Sequence, residues 1–216
     1  MMHAIRHTTI TILAAWAFIS SIVPVHSANG NDKWRCVKEK NGIFVFLEDT
    51  APSDRSRFKS VTVMDASIDA ILAILRNFST YPRWQPFMDK IIVLENLGND
   101  EVIAYFSFDF PWPVSNRELV VKSRTETILS DHPAFKIIVD GTDIPPPLCR
   151  KKIIRVQYYH CETLLERLSK SKTRVSYIIE VDPGGKIPVL PYRWTSKEAL
   201  YISMKKLRTL AEAEAD

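Results

Sequence analysis

Glycine is scarce, six residues in 216. Phosphate-cradling loops are built from glycine-rich backbone, so a nucleotide nest is not expected. Histidine is scarcer still: beyond residue 27 there are only His132 and His160. His132 precedes Pro133 in a polar turn, a poor place for a buried base. The sequence holds no Gly-x-Ser-x-Gly and no His-Glu-x-x-His. Its carboxylates form no pair whose spacing implies acid/base work. Missing motifs lower the odds of an enzyme without excluding one, because catalytic groups need specific neighbours to activate them. Cysteine is limited to Cys36, Cys149 and Cys161. In an oxidising compartment these allow one disulfide and leave one thiol over; the alternative is three buried thiols acting as small hydrophobes. His160-Cys161 is not a metal motif, since adjacent strand residues point to opposite faces and no second cluster supplies the other ligands. No cofactor and no metal is expected.

What is present begins with a leader pattern. Arg6 gives a positive start, Ile10 to Val23 is an apolar run of 14 residues, and Val25-His26-Ser27 offers small residues before Ala28. This is the pattern of a secretory signal peptide, and the run is shorter than the roughly 20 residues that span a bilayer. Residues 1–27 are therefore expected to be removed, with the alternative of an uncleaved N-terminal anchor. The remaining domain, 28–216, is expected in the periplasm or outside the cell. Setting 1–27 aside removes Arg6 and no acidic residue, leaving 28 basic and 25 acidic residues, a net of about +3. No basic stripe interleaves with stacking aromatics, so no nucleic-acid partner is expected; the mild positive charge suits anionic headgroups.

One domain of ordinary size is expected. Trp34–Val37 and Ile43–Leu47 read as strands about an Asn41-Gly42 turn, followed by a strand at Phe58–Met64. Ile68, Ile71, Leu72 and Leu75 make one helical stripe, capped by Ser67 or Asp65. The helix should end before Tyr81, because Pro82 disfavours helical geometry there. Trp84 is expected to pack in the core where that helix meets the sheet, with ligand contact the lesser reading. Strands follow at Ile91–Leu97, Glu101–Phe108, Glu118–Ile128 and Ala134–Val139. The stiff Ile144-Pro-Pro-Pro-Leu148 segment comes next, then strands at Ile153–Cys161, Thr163–Leu168 and Thr173–Val181. Short turns between them argue for an antiparallel meander. After the Asp182-Pro183-Gly184-Gly185 turn, a helix is expected from about Tyr192 to Ala213. Its stripe is Leu200, Met204, Leu207 and Ala211, widened by Ser203 and Leu210; simple core packing is its plainest role, and roofing a cavity is a further one.

The chain is organised around Asp109-Phe110-Pro111-Trp112-Pro113-Val114-Ser115-Asn116-Arg117-Glu118. Pro111 and Pro113 cannot donate to a sheet ladder, and Trp112, preceding a proline, is pushed to an extended conformation. A stiff loop with Trp112 near its tip should join two antiparallel strands. Beyond it, Lys122, Arg124 and Glu126 mark one face as wet, while Arg117, Leu119 and Val121 share the other. Arg117 thus belongs to the drier face at its loop end, unless it curls out to solvent.

Three segments carry a resemblance. Tyr-Pro-Arg-Trp-Gln-Pro (81–86), Phe-Pro-Trp-Pro-Val-Ser-Asn-Arg-Glu (110–118) and Tyr-Ile-Ile-Glu-Val-Asp-Pro-Gly-Gly-Lys-Ile-Pro (177–188) resemble, in this order, segments of START (StAR-related lipid-transfer) domains, and the match extends from about Trp34 to the C-terminus. Glu118 stands where the family usually has Asp, which leaves its ion pairing open. The resemblance implies an α+β helix-grip fold, a curved antiparallel sheet wrapped around the C-terminal helix with a lipid-sized tunnel between, in a secreted or periplasmic, bacterial-type member.

The same resemblance implies a monomeric binder, and a candidate carrier, of a lipid or other hydrophobic small molecule, with transient contact to a membrane surface. Candidate ligand-binding residues are Arg117, Trp112, Tyr105, Tyr177, Leu200, Met204 and Leu207; no catalytic residue is assigned. A desolvated Arg117 needs a partner, and a headgroup phosphate or carboxylate would serve. Trp112 could dip into a membrane interface. The alternative function is a helix-grip superfamily enzyme, a cyclase or hydrolase acting on a hydrophobic substrate, recognisable by titratable side chains clustered in the tunnel. A third reading is an interaction module with a filled core.

Overall fold

The structure, a computed structural model, describes residues 33–48, 55–128, 133–148, 152–185 and 189–214. The leader 1–27, His132, Cys149 and residues 186–188 lie outside the described residues. Ten strands and one long helix dominate. β1 (Trp34–Lys40), β2 (Ile43–Glu48) and β3 (Ser56–Met64) form one end of the sheet. Asn41 and Gly42, at φ 53° and 69°, make the β1–β2 turn, the left-handed pair that a two-residue hairpin requires. On β2, Ile43, Val45 and Leu47 are buried while Phe44 and Phe46 are half-buried on the other side, as the two-residue period demands.

Helix α1 spans Ile68–Arg76 and Ser67 is its cap, its Oγ accepting from Ala70 N at 3.2 Å. A 3₁₀ turn, Phe78–Thr80, leads straight into the short α2, Tyr81–Trp84. Here expectation and structure differ: Tyr81 is helical (φ −56°, ψ −42°) although Pro82 follows it. A new helix starts at this point, and proline is tolerated in a first turn, where N–H groups have no intrahelical acceptor. Trp84 is buried in the core, as expected.

β4 (Met88–Gly98), β5 (Glu101–Phe108), β6 (Arg117–Ile128) and β7 (Ala134–Thr142) run antiparallel in succession. Two strands expected on either side of Glu162 are instead one, β9 (Tyr158–Ser169), and only the two-residue β8 (Ile154–Arg155) precedes it. β8 pairs parallel with β6, Arg117 opposite Ile154 and Glu118 opposite Arg155. The meander is not continuous either: β10 (Lys172–Asp182) returns beside β3, giving the order β1-β2-β3-β10-β9-β7-β6-β5-β4.

The last element, α3 (Val189–Ala213), starts three residues earlier than expected. Leu200, Ser203, Met204, Leu207, Leu210 and Ala211 are all buried. They meet the inward residues of β2, β3, β5, β6 and β7 in one hydrophobic core with α1. The architecture is α+β, a curved antiparallel sheet with its C-terminal helix in the concave side. Cys36 is exposed and Cys161 buried, both as free thiols, so the reading of three buried cysteines fails at Cys36.

Candidate ligand cavity

The core is not filled. A cavity of about 660 Å³ lies between the sheet and the first half of α3, within the roughly 300–1,000 Å³ common for small-molecule sites. This overturns the filled-core reading. Its outer wall is the 109–116 loop, where Phe110, Trp112 and Val114 line it. Asn116 fixes the loop: its Oδ1 accepts from Phe110 N at 3.1 Å and its carbonyl accepts from Ile154 N at 2.9 Å. The loop's tip is a tight turn, Val114 N donating to Pro111 O at 3.1 Å across a cis Trp112–Pro113 bond. Trp112 is 93% exposed. Phe87, Phe110 and Phe108 stack along one wall with centroids 5.0 and 6.1 Å apart.

Arg117 begins β6 on the inner face, as parity implied, and it is 3% exposed; it does not curl out to solvent. Its Nη1 donates to Ser115 O and its Nη2 to Gly184 O at 3.5 Å, and the guanidinium lies 5.9 Å from the Phe110 ring centre. It therefore joins the loop to the turn after β10. Gly184 suits this place twice over: φ is +66°, and a Cβ would come within 2.7 Å of Arg155 O. Glu118, on the opposite face, is buried and accepts from the Tyr105 hydroxyl at 2.8 Å.

Of the seven candidate residues, the structure brings Arg117, Trp112, Tyr177 and Leu200 to the cavity wall. Three are corrected. Tyr105 is wholly buried, but its partner Val120 and its acceptor Glu118 lie on the other face of the sheet. Met204 and Leu207 are also wholly buried, one and four residues past the last wall residue of α3, in the packed core. The wall beneath α3 is instead made by Ser196, Ala199 and Ser203. Ser203 Oγ donates to Ala199 O at 2.9 Å and approaches Gln85 Oε1 at 3.2 Å.

A smaller chamber of about 90 Å³ continues inward, lined by Leu75, Trp84, Ile137 and Val139 among others. Tyr159, Tyr177 and Ile179 belong to both spaces. Beside them Cys161 and Thr163 face inward from β9. Tyr159, Tyr177 and Cys161 interact with one another. Burial, then the neighbouring Cys161, pushes both phenols well above their usual range, and burial pushes the Cys161 thiol up to about 12. The tunnel thus does contain a titratable cluster that sequence reading missed. The signal was available as the alternation Tyr159, Cys161, Thr163, Leu165 along one strand. All three groups stay protonated at neutral pH, and an acid or base works best with a pKa near the operating pH. They are suited to hydrogen bonding.

Similarity to known proteins agrees with this geometry. The family model described as the START domain matches residues 33–213. A Pseudomonas aeruginosa protein of uncharacterised function is 28% identical, over 84% of this chain and 88% of its own. Human phosphatidylcholine transfer protein is 24% identical, over 77% of this chain and 78% of its own. Among solved structures, the STAR-related lipid transfer protein of Xanthomonas axonopodis superposes with a TM-score of 0.71 at 25% identity, over 82% and 98% of the two chains. Human StAR-related lipid transfer protein 5 reaches 0.76 at 12% identity, over 86% and 89%. By sequence over most of its length and by fold, the chain belongs to the START domain family.

Proposed function

We propose that this protein binds a lipid, or a hydrophobic molecule of similar size, in the cavity between the sheet and α3, and carries it between membranes outside the cytoplasm. The observation that carries the reading is the cavity itself, about 660 Å³ with a wall of Phe, Pro, Val, Ile and Leu side chains. Empty apolar space this large costs stability through lost packing, and an apolar ligand restores those contacts. That relatives are named for lipid transfer supports the same use. Arg117 at the loop end offers a forked donor for a phosphate or carboxylate headgroup, in exchange for the carbonyls it now meets. Trp112, exposed beside the cavity, is the residue to rest in a membrane interface during exchange. The leader pattern at 1–27 supports export, and the working unit is a monomer. Native mass spectrometry of protein purified from its own compartment tests the reading, followed by incubation with mixed phosphatidylcholine–phosphatidylglycerol vesicles. The expected result is a noncovalent adduct with the mass of a lipid, exchangeable with vesicle lipid. An apo mass in both experiments overturns it.

A further inference from the structure

Phe87 holds a backbone conformation that its side chain does not favour. Its φ is 65°, in the left-handed region, where Cβ crowds the following carbonyl. Among the described residues, three of the other four non-glycine positions with positive φ are Asn or Asp, types that tolerate this region. A phenylalanine there is an outlier, and such an outlier persists only where its surroundings over-determine it. Helix capping does not account for it. α2 ends at Trp84, and its cap Gln85 is extended (φ −85°, ψ 115°). Glycine or asparagine would make the turn from α2 into β4 with less strain, but neither brings a ring.

Both the ring and the carbonyl of Phe87 meet the 109–116 loop. Asp109 N donates to Phe87 O at 2.8 Å. The Phe87 and Phe110 ring centres are 5.0 Å apart, in the range of a favourable aromatic pair. Phe110 in turn stacks on Phe108 and lies 5.9 Å from the Arg117 guanidinium. Phe87 and Phe110 both line the cavity. One residue thus grips Asp109 through its backbone and Phe110 through its ring. Rotation about the N–Cα bond of Phe87 carries side chain and carbonyl together, so relaxing φ releases both contacts at once. The far end of the loop is tied separately, by Asn116 O accepting from Ile154 N and by Arg117 reaching Gly184 O.

We propose that Phe87 is a positioning residue that latches the 109–116 loop over the cavity, and that the strain it carries while latched sets how fast lipid leaves. This rests on the lipid-binding reading and adds to it the residue that controls release. Opening relaxes the backbone at position 87, so the strain makes opening easier, while the ring pair with Phe110 makes it harder. The gap opens between the α2–β4 turn and the start of the loop.

Alanine and glycine at position 87 separate backbone from ring, because both lack the ring and only alanine keeps the left-handed penalty. The wild type, Phe87→Ala and Phe87→Gly are loaded with a nitrobenzoxadiazole-labelled phosphatidylcholine. Its release to excess phosphatidylcholine–phosphatidylglycerol vesicles is then timed. Hydrogen exchange of the Asp109 amide is followed by NMR in the same proteins, with melting temperature in parallel. Phe87→Ala should release the probe about fivefold or more faster than Phe87→Gly, and faster than the wild type, and the Asp109 amide should exchange in the same order. Equal release from the two variants overturns the inference even if they melt differently, since the strain is then structural alone. An order seen at Asp109 but not in release overturns it too, because another step then limits release. Failure of the wild type to take up the probe overturns the lipid-binding reading and the inference together. The wild type also gives a check that needs no variant. Its Asp109 amide should exchange by local opening, at a rate insensitive to low denaturant. Exchange only through global unfolding overturns the latch and leaves lipid binding standing.

Discussion

The two halves of α3 lie on one amphipathic stripe but do different work. Among the described side chains up to Ser203, the inward positions are Ser196, Ala199, Leu200 and Ser203, and all four line the cavity. In the second half they are Met204, Leu207, Leu210 and Ala211, which fill the core against β2, β3 and α1. Side-chain volume accounts for the difference: three of the four residues over the cavity are small, and three of the four over the core are large. A void persists where the helix offers little to fill it, and the densely packed half holds the helix in place above that void. Stability and ligand capacity are therefore separable along a single helix.

The largest expected effect breaks the packed half. Leu207 has no exposed surface, so Leu207→Ala should cost roughly 2–5 kcal/mol, read as a fall in denaturation midpoint with unchanged slope. Lipid capacity of the fraction still folded should remain. A loss below about 1 kcal/mol would mean that the second half is loosely packed as well. Next, Ala199→Phe fills the open half. Lipid bound per protein, by native mass spectrometry, should fall by about tenfold, and the melting temperature should move by only a few degrees because the added ring enters existing space. A large destabilisation with full lipid capacity would reverse the roles of the two halves.

Two smaller effects sharpen the contrast at the cavity mouth. Arg117→Met keeps much of the stem and removes the charge; it should weaken binding of an anionic phospholipid several-fold more than that of a neutral sterol. Equal losses for both would make Arg117 a structural tie between Ser115 and Gly184. Smallest for stability is Trp112→Ala. With 93% of the residue exposed, unfolding free energy should change by no more than about 0.5 kcal/mol. Vesicle association, measured by co-sedimentation, should drop. An unchanged vesicle affinity would remove Trp112 from the membrane-facing surface.

Part of this arrangement is legible in the chain and part is not, for reasons that particular residues make plain. β6 could be oriented from its own sequence: Lys122 and Arg124 demand a wet face, which leaves Arg117 on the dry one. β5 could not. Ala104, Tyr105, Phe106 and Ser107 are all buried, and a strand covered on both faces shows no alternation to read, so nothing local tells which face Tyr105 takes. The shared inward face of Tyr159, Cys161 and Thr163 is hidden for another reason: the polar Glu162 reads as a break between strands, where the structure has one continuous strand, β9.

By itself the sequence determined the local features. These include the Asn41-Gly42 hairpin, the Ser67 cap, the proline-stiffened loop with Trp112 outermost, the face of Arg117 and the stripe of α3. Each depends on residues close together in the chain, through backbone preference or through periodicity. The tertiary structure alone decided that β10 returns beside β3, that the α3 stripe divides into a roof and a core, and that Tyr159 and Tyr177, from adjacent strands, line both the cavity and the chamber beyond it. Those outcomes depend on what lies opposite a side chain. The residues that lie opposite are far away in sequence, and no local pattern encodes the volume they leave between them.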